Sequence, residues 1–325
     1  MSITTILLLL LGIALVVIGS NYLIDGASDI ARRSGLSEFL IGLTIVGIGT
    51  STPEMVVSFI SAFRGSSDMS VGNIIGSNIF NTFLILGVSA VILPIAITKD
   101  NIRKDIPLNI AATALLIILG MNHSLFGTGN SDMISRLDGA LMLICFVLYM
   151  YSSFKSGHTD TDNCSETNVL PTTNKPVLLS VFMIVGSLAA LIIGGNLFVD
   201  NASLLARHFG MSDKLIGISI LAVGTSLPEL ATCVAAAVKK KGQMALGNII
   251  GSNIANILLI LGGSALIHPL NMSNINVTDL GFVMLSVLFL LASYFTFTKK
   301  TLDRVEGVAL LALAGIYFYL LFTAN

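Results

Sequence analysis

The stretch Gly49-Thr50-Ser51-Thr52-Pro53-Glu54 decides the reading of this chain, because a near copy of it occurs further on. Gly224-Thr225-Ser226-Leu227-Pro228-Glu229 follows 175 residues later, again inside an apolar segment. A second stretch accompanies each copy: Gly72-Asn73-Ile74-Ile75-Gly76-Ser77-Asn78-Ile79 with Asn81, and Gly247 to Ile254 with Asn256. The offset of 175 holds without a gap from Gly19/Gly194 to Pro94/Pro269, with 37 identities in 76 columns. Hydrophobicity alone would let Leu, Ile and Val interchange, whereas Gly, Pro, Ser, Thr, Asn and Glu are what match. Carboxylates kept twice inside apolar helices point to a two-fold ion site.

The chain has 325 residues, of which 54% are hydrophobic and 11% charged, and its mean hydropathy is +0.90. Soluble domains carry about 25% charged residues, so this is an integral membrane protein. A net charge of -1 gives no case for nucleic acid. Cys145, Cys164 and Cys233 are scattered without a CxxC, which argues against a disulfide framework or a zinc site. The segment Ile3 to Ile24 lacks the basic flank and small-residue cleavage site of a secretory signal. Its end aligns with an internal segment ending near Val199, so it reads as a span.

Spans need about 20 mostly apolar residues. Ten fit: 3–24, 38–63, 70–97, 106–122, 137–154, 177–199, 214–238, 243–268, 278–297 and 305–323. Five per half is odd, so matching halves must sit in opposite orientations, as in many secondary transporters. The expected organisation is a first repeat over 1–154, a linker over 155–176 and a second repeat over 177–325. Thirteen of the 17 Lys and Arg residues fall on the linker side and four, Arg64, Arg136, Arg207 and Lys214, on the other. Positive charge favours the cytoplasm, which makes this a multi-pass protein of the cell (inner) membrane with the linker in the cytoplasm and both termini outside. Within the linker, Asp160-Thr161-Asp162-Asn163 lacks the Gly and distal Glu of an EF-hand and reads as a solvated tether.

Pro53 and Pro228 sit in mid-span, where proline removes an N–H and disrupts the bond to the carbonyl four residues earlier. Carbonyls freed near Gly49 and Thr50, and near Gly224 and Thr225, must find partners or coordinate ions. Helical spacing gathers Gly47, Ser51 and Glu54 on one stripe, and Asn73, Ser77 and Asn81 on the next helix. The second half repeats this with Ala222, Thr225, Ser226 and Glu229, then Asn248, Ser252 and Asn256. These are hard oxygen donors, suited to calcium or sodium and poorly suited to soft transition metals. Close helix packing accounts for Gly72, Gly76, Gly247, Gly251, Asn73 and Asn248 as well as ion binding does. It does not account for Glu54 and Glu229. A mid-membrane carboxylate costs about 2.5–3.5 kcal/mol even on lenient scales, and no Lys or Arg within the same spans neutralises either one. Asp25 and Asp200 also match, but at span ends, where a solvated carboxylate or helix cap is the ordinary reading.

The paired motifs resemble the two alpha repeats of the calcium/cation antiporter superfamily, in particular the prokaryotic sodium/calcium exchangers. The likeness extends over essentially the whole chain. It implies an all-α integral membrane fold whose four motif helices enclose ion sites at mid-membrane. Glu54 and Glu229 would ligate calcium, with backbone carbonyls from Thr50 and Thr225. Gly47, Ser51, Ser77 and Asn81, with their mates Ala222, Ser226, Ser252 and Asn256, would build flanking sodium sites. The peripheral spans 3–24 and 177–199 would slide across this core. Several members carry Asp where this chain has Asn81 or Asn256, so two formal negative charges remain to match one Ca2+.

The sequence thus reads as a secondary antiporter exchanging Ca2+ for Na+, and not as an enzyme. It needs no cofactor beyond the transported ions, no obligatory protein partner and no medium other than the lipid bilayer. A proton/calcium exchanger using the same two glutamates is the nearest rival. A potassium-dependent exchanger resembles the motifs less well. A cation channel and a membrane scaffold are further alternatives.

Overall fold

Without water in the hydrocarbon layer, an apolar segment satisfies its N–H and C=O groups internally only as a helix or within a closed barrel. The computed structural model describes residues 3–127, 131–156, 176–209, 222–272, 275–296 and 300–323. Among these the chain is helical apart from four two-residue strands. Helix α1 is Ile3–Ser34, and α2 (Glu38–Thr50) and α3 (Thr52–Phe63) follow. Then come α4 (Ser67–Ile92), α5 (Ile106–Gly120) and α6 (Arg136–Ser156). The second half holds α7 (Val177–His208), a turn at Ala222–Thr225, α8 (Leu227–Val238) and α9 (Gly242–Ile267). Helices α10 (Val277–Ser293) and α11 (Arg304–Thr323) complete it.

Six of these, α1, α4, α6, α7, α9 and α11, are long and apolar enough to cross a membrane, and α2 with α3 makes a seventh, bent by 47°. Helices α8 and α10 are apolar but shorter. Of the expected spans, 214–238 begins in residues outside those described, as does most of the linker 155–176. Three boundaries differ clearly from expectation. Helices α1 and α7 run 32 residues each, well past 24 and 199. Their polar ends can be hydrated outside the hydrocarbon, so loss of apolarity does not end the helix. At 1.5 Å per residue each measures about 48 Å. Gly35, at φ +66°, provides the left-handed residue that follows α1. Span 70–97 ends earlier, because α4 stops at Ile92 and the chain turns extended at Leu93.

The extended pieces tie the halves together. Strand β1 (Ile95–Ala96) pairs antiparallel with β4 (Thr301–Leu302), and β2 (Met133–Ile134) with β3 (Leu270–Asn271). Each ribbon joins one strand from either half.

Burial separates core from periphery. In α4 and α9, 78% and 83% of the spanning window is buried, against 22% and 28% in α1 and α7. The large apolar side chains of α1 and α7, such as Leu7 and Phe182, stay exposed, as a lipid-facing surface requires. Helices α1 and α7 run antiparallel along each other. An added Cβ at Gly12 would lie 2.8 Å from the Gly194 carbonyl, one at Gly19 3.2 Å from Ser187 O, and one at Gly26 3.1 Å from Ser180 O. Glycine every seventh residue keeps one face of α1 smooth enough for this approach.

Candidate ion site

Both motif helices break at the same place. Ser51 (φ -77°, ψ 8°) and its mate Ser226 (φ -89°, ψ 8°) leave helical geometry, and each is followed by a segment with proline in its first turn. Pro53 cannot donate to the carbonyl of Gly49, and the Thr52 hydroxyl takes that bond at 2.7 Å. The mate of Thr52 is Leu227, which has no hydroxyl to do the same. The first break is therefore capped locally.

The breaks deliver Glu54 and Glu229 to one place. Both side chains are 1% exposed. Ser51 Oγ donates to Glu229 Oε1 at 3.1 Å, and Ser226 Oγ donates to Glu54 Oε1 at 3.3 Å. Each half thus supplies the serine that holds the other half's glutamate. Ser77 also faces Glu54, and Thr50 faces Glu229.

Asparagines form a second layer. In α4 and α9 the hydrogen-bond register widens to π-type turns over Phe80–Leu86 and Ala255–Leu261, a feature frequent at functional sites. Asn81 and Asn256 stand at matching places in these turns. Asn81 Nδ2 donates to Asn253 Oδ1 at 3.1 Å, and Asn256 Nδ2 donates to Asn78 Oδ1 at 2.9 Å. Asn78 reaches the Asn253 carbonyl at 3.3 Å, and Asn253 donates to Thr82 Oγ1 at 2.8 Å. With their amide N–H groups engaged, Asn81 and Asn256 have acceptor oxygens left over.

Four buried oxygens lack a hydrogen-bond partner here: Glu54 Oε2, Glu229 Oε2, Asn81 Oδ1 and Asn256 Oδ1. They are two repeat-matched pairs, and all are pure acceptors. Buried polar atoms are nearly always satisfied, so four unsatisfied acceptors at repeat-matched positions of the motif helices fit a cation that comes and goes. Oxygen donors of this kind suit Ca2+ and Na+.

The other sequence-derived positions fall into place unevenly. Gly47 O accepts from Ser252 Oγ at 3.0 Å, which ties α9 to the broken helix. Thr225 ends the turn before the second break, and the side chain of Ala222 lies outside those described. Asn73 and Asn248 act as braces: Asn73 donates to Glu54 O at 3.3 Å and Ser58 Oγ at 3.1 Å. Asn248 accepts from Thr50 Oγ1 at 3.3 Å and donates to Thr232 Oγ1 at 3.3 Å and Cys233 Sγ at 3.1 Å. Sequence reasoning did not single out Asn78, Asn253, Thr82, Ser58 and Thr232. Asn78 and Asn253 were visible as part of the repeated motif; the other three depend on helix crossings.

Residues 4–155 and 179–323 match the family described as sodium/calcium exchanger protein. This chain belongs to that family. The exchanger is 38% identical over 321 residues to the putative antiporter CaxA of Alkalimonas amylolytica, covering 97% of this chain and 98% of that one. It is 32% identical over 344 residues to the sodium/calcium exchanger MaX1 of Methanosarcina acetivorans, covering 97% and 98%. Among solved structures, the sodium-calcium exchanger NCX_Mj soaked with zero Na+ and Ca2+ superposes with a TM-score of 0.84 at 33% identity, covering 99% of this chain and 100% of that one. The exchanger is therefore a multi-pass membrane antiporter of the calcium/cation class. Its family and fold are those of transporters rather than enzymes.

Proposed function

We propose that this exchanger moves Ca2+ out of the cell in return for Na+, by alternating access to one site built from both halves. In this reading ten spans form two inverted five-span repeats, 1–154 and 177–325, joined by a cytoplasmic linker over 155–176, with both termini outside. The observation that carries it is the set of unsatisfied acceptors at repeat-matched positions, on Glu54, Glu229, Asn81 and Asn256. Two carboxylates match the charge of one Ca2+, while the hydroxyls and amides around them offer uncharged oxygens for Na+. The antiparallel course of the repeat-matched helices α1 and α7 supports inversion.

Calcium uptake into sodium-loaded vesicles, with pH clamped and the potential set by a potassium ionophore, tests the coupling ion. Uptake should follow the sodium gradient. If more than two Na+ exchange for each Ca2+, net charge moves and the potential contributes about 2.3 kcal/mol per charge per 100 mV. Uptake that tracks an imposed pH gradient and ignores sodium would make the protein proton-coupled.

Ser51→Ala combined with Ser226→Ala should weaken sodium more than calcium. Each substitution removes one hydroxyl oxygen and its bond to a glutamate. A hydrogen bond to a charged group is worth about 1.5–3 kcal/mol, so the half-saturating Na+ concentration should rise roughly tenfold or more. An equal loss of Na+ and Ca2+ affinity would assign these serines to glutamate orientation alone. For topology, a cysteine replacing Thr161 in a Cys164→Ser background should react with an impermeant thiol reagent only from the cytoplasmic side. Labelling from outside intact cells would invert the orientation.

A further inference from the structure

Helix α1 carries Asn21 and Asp25 one turn apart, and Lys239 reaches both: its Nζ lies 2.7 Å from Asp25 Oδ1 and 2.8 Å from Asn21 O. Lys239 is the residue that ends α8, the helix bearing Glu229. The contact therefore fastens a peripheral helix to a site helix. All three residues have mates at the offset of 175: Asn196, Asp200 and Arg64. Arg64 in turn ends α3, the helix bearing Glu54. The basic charge and the carboxylate are both kept, whereas Asn21 takes part only through its backbone carbonyl, which any residue offers. The neighbouring ion pair Lys241–Glu38 has as mates Ser66 and Asp213, which keep no basic charge.

The sequence is symmetric here and the structure is not. Among the described residues Asp25 and Lys239 are paired, while Asp200 and Arg64 make no ion pair. Helix α1 lies along α8, yet α7 does not lie along α3 in the matching way. The two constellations also sit at opposite ends of the α1–α7 pair. With Gly12 against Gly194, Asp200 falls level with residue 6 of α1, nineteen residues from Asp25. That is roughly 28 Å along the helix, close to the ~30 Å of the hydrocarbon core.

We infer that Asn21–Asp25–Lys239 and Asn196–Asp200–Arg64 are alternating latches that position the peripheral helices: closure of one shuts its face of the membrane, and its release accompanies closure of the other. This rests on the alternating-access reading above. In this structure the Asp25 latch is closed and the Asp200 latch is open. Movement of α1 and α7 across the core exchanges them, so the two faces are never open together. A half-exposed ion pair is weak, which suits a contact broken once per cycle.

The test is the half-saturating Ca2+ concentration at each face of the reconstituted exchanger, in vesicles of known orientation. Asp25→Asn opens the first latch. It should lower that concentration roughly two- to fivefold at the Lys239 face and raise it at the other, because apparent affinity scales with the population open to that face. Arg64→Gln should shift both values the opposite way. Reversing the pair, Asp25→Lys with Lys239→Asp, should restore the original ratio between faces, which a merely structural role would not predict. Normal exchange with an unmoved ratio, or shifts of the same sign from both substitutions, overturns the latches alone. Absence of sodium-driven calcium flux in the unsubstituted protein overturns the exchange reading, and the latches with it.

Discussion

Glu54→Gln and Glu229→Gln should each bring calcium transport to background while the protein still inserts and folds. Glutamine keeps the shape and the acceptor that Ser226 or Ser51 bonds at 3.3 and 3.1 Å. It removes one of the two charges that would face the divalent cation in the proposed site, where both side chains are 1% exposed. Losing one partner of a buried charge pair costs about 3–5 kcal/mol, or on the order of a hundredfold to several thousandfold in affinity. The two substitutions should act in the same direction, since each removes one of two carboxylates held by reciprocal serine bonds. Calcium flux into sodium-loaded vesicles, normalised to inserted protein, is the measurement. Near-normal flux from either variant would make that glutamate structural and dissolve the two-fold site.

A second large effect should come from a position that touches no ion. Helices α2 and α9 cross backbone against backbone: a Cβ at Gly251 would fall onto the Leu43 carbonyl, and one at Gly247 onto the Phe39 carbonyl. Gly42 makes the same close approach to the Met244 carbonyl from the other side. No flexible side chain can yield there. Gly251→Val should therefore cost more than the ~1–3 kcal/mol usual for overpacking a core and greatly reduce monodisperse protein. Gly242→Ala is the control, because its added methyl would meet Leu93 and Ile95 at ordinary distances of 3.6 and 3.7 Å. Size-exclusion profiles and thermal midpoints in detergent compare the two. A Gly251→Val protein as monodisperse and as heat-stable as the unsubstituted chain would contradict the close crossing.

That crossing also explains why the site looks as it does. The register between α2 and α9 brings Ser252 to the Gly47 carbonyl and Asn248 to Thr50. Glycines at the crossing therefore set the geometry of the candidate site, although they offer no side-chain ligand. This resolves the two readings of Gly247, Gly251 and Asn248: all three serve the helix contact, and Asn248 also braces a site residue. For Gly72 and Gly76 no described atom lies within 4 Å of an added Cβ, so the same conclusion is not carried to them.

Much of this was legible from the residues alone. Composition required a membrane protein, and the doubled Gly-Thr-Ser-x-Pro-Glu stretch marked the two broken helices with their carboxylates. Local rules reach this far because a proline breaks its own helix and a four-residue step defines its own stripe, whatever surrounds them. They also place the π-type turns only loosely, since nothing in Phe80–Leu86 departs from an ordinary apolar run. Which stripe faces which is another matter. Ser51 holding Glu229, Ser226 holding Glu54, and the asparagine bridges between α4 and α9 join residues 172 to 178 apart. Periodicity says that such residues share a helix face; only the crossing of helix backbones, allowed by glycines such as Gly247 and Gly251, says which faces meet. The same limit applies to Asp25 and Asp200. As sequence they are equivalent span-end carboxylates, and the chain has no means of marking one as paired and the other as not. The difference belongs to the arrangement of α1 and α7 over the core, because two matching halves can pack in two unequal ways and the tertiary structure occupies one of them.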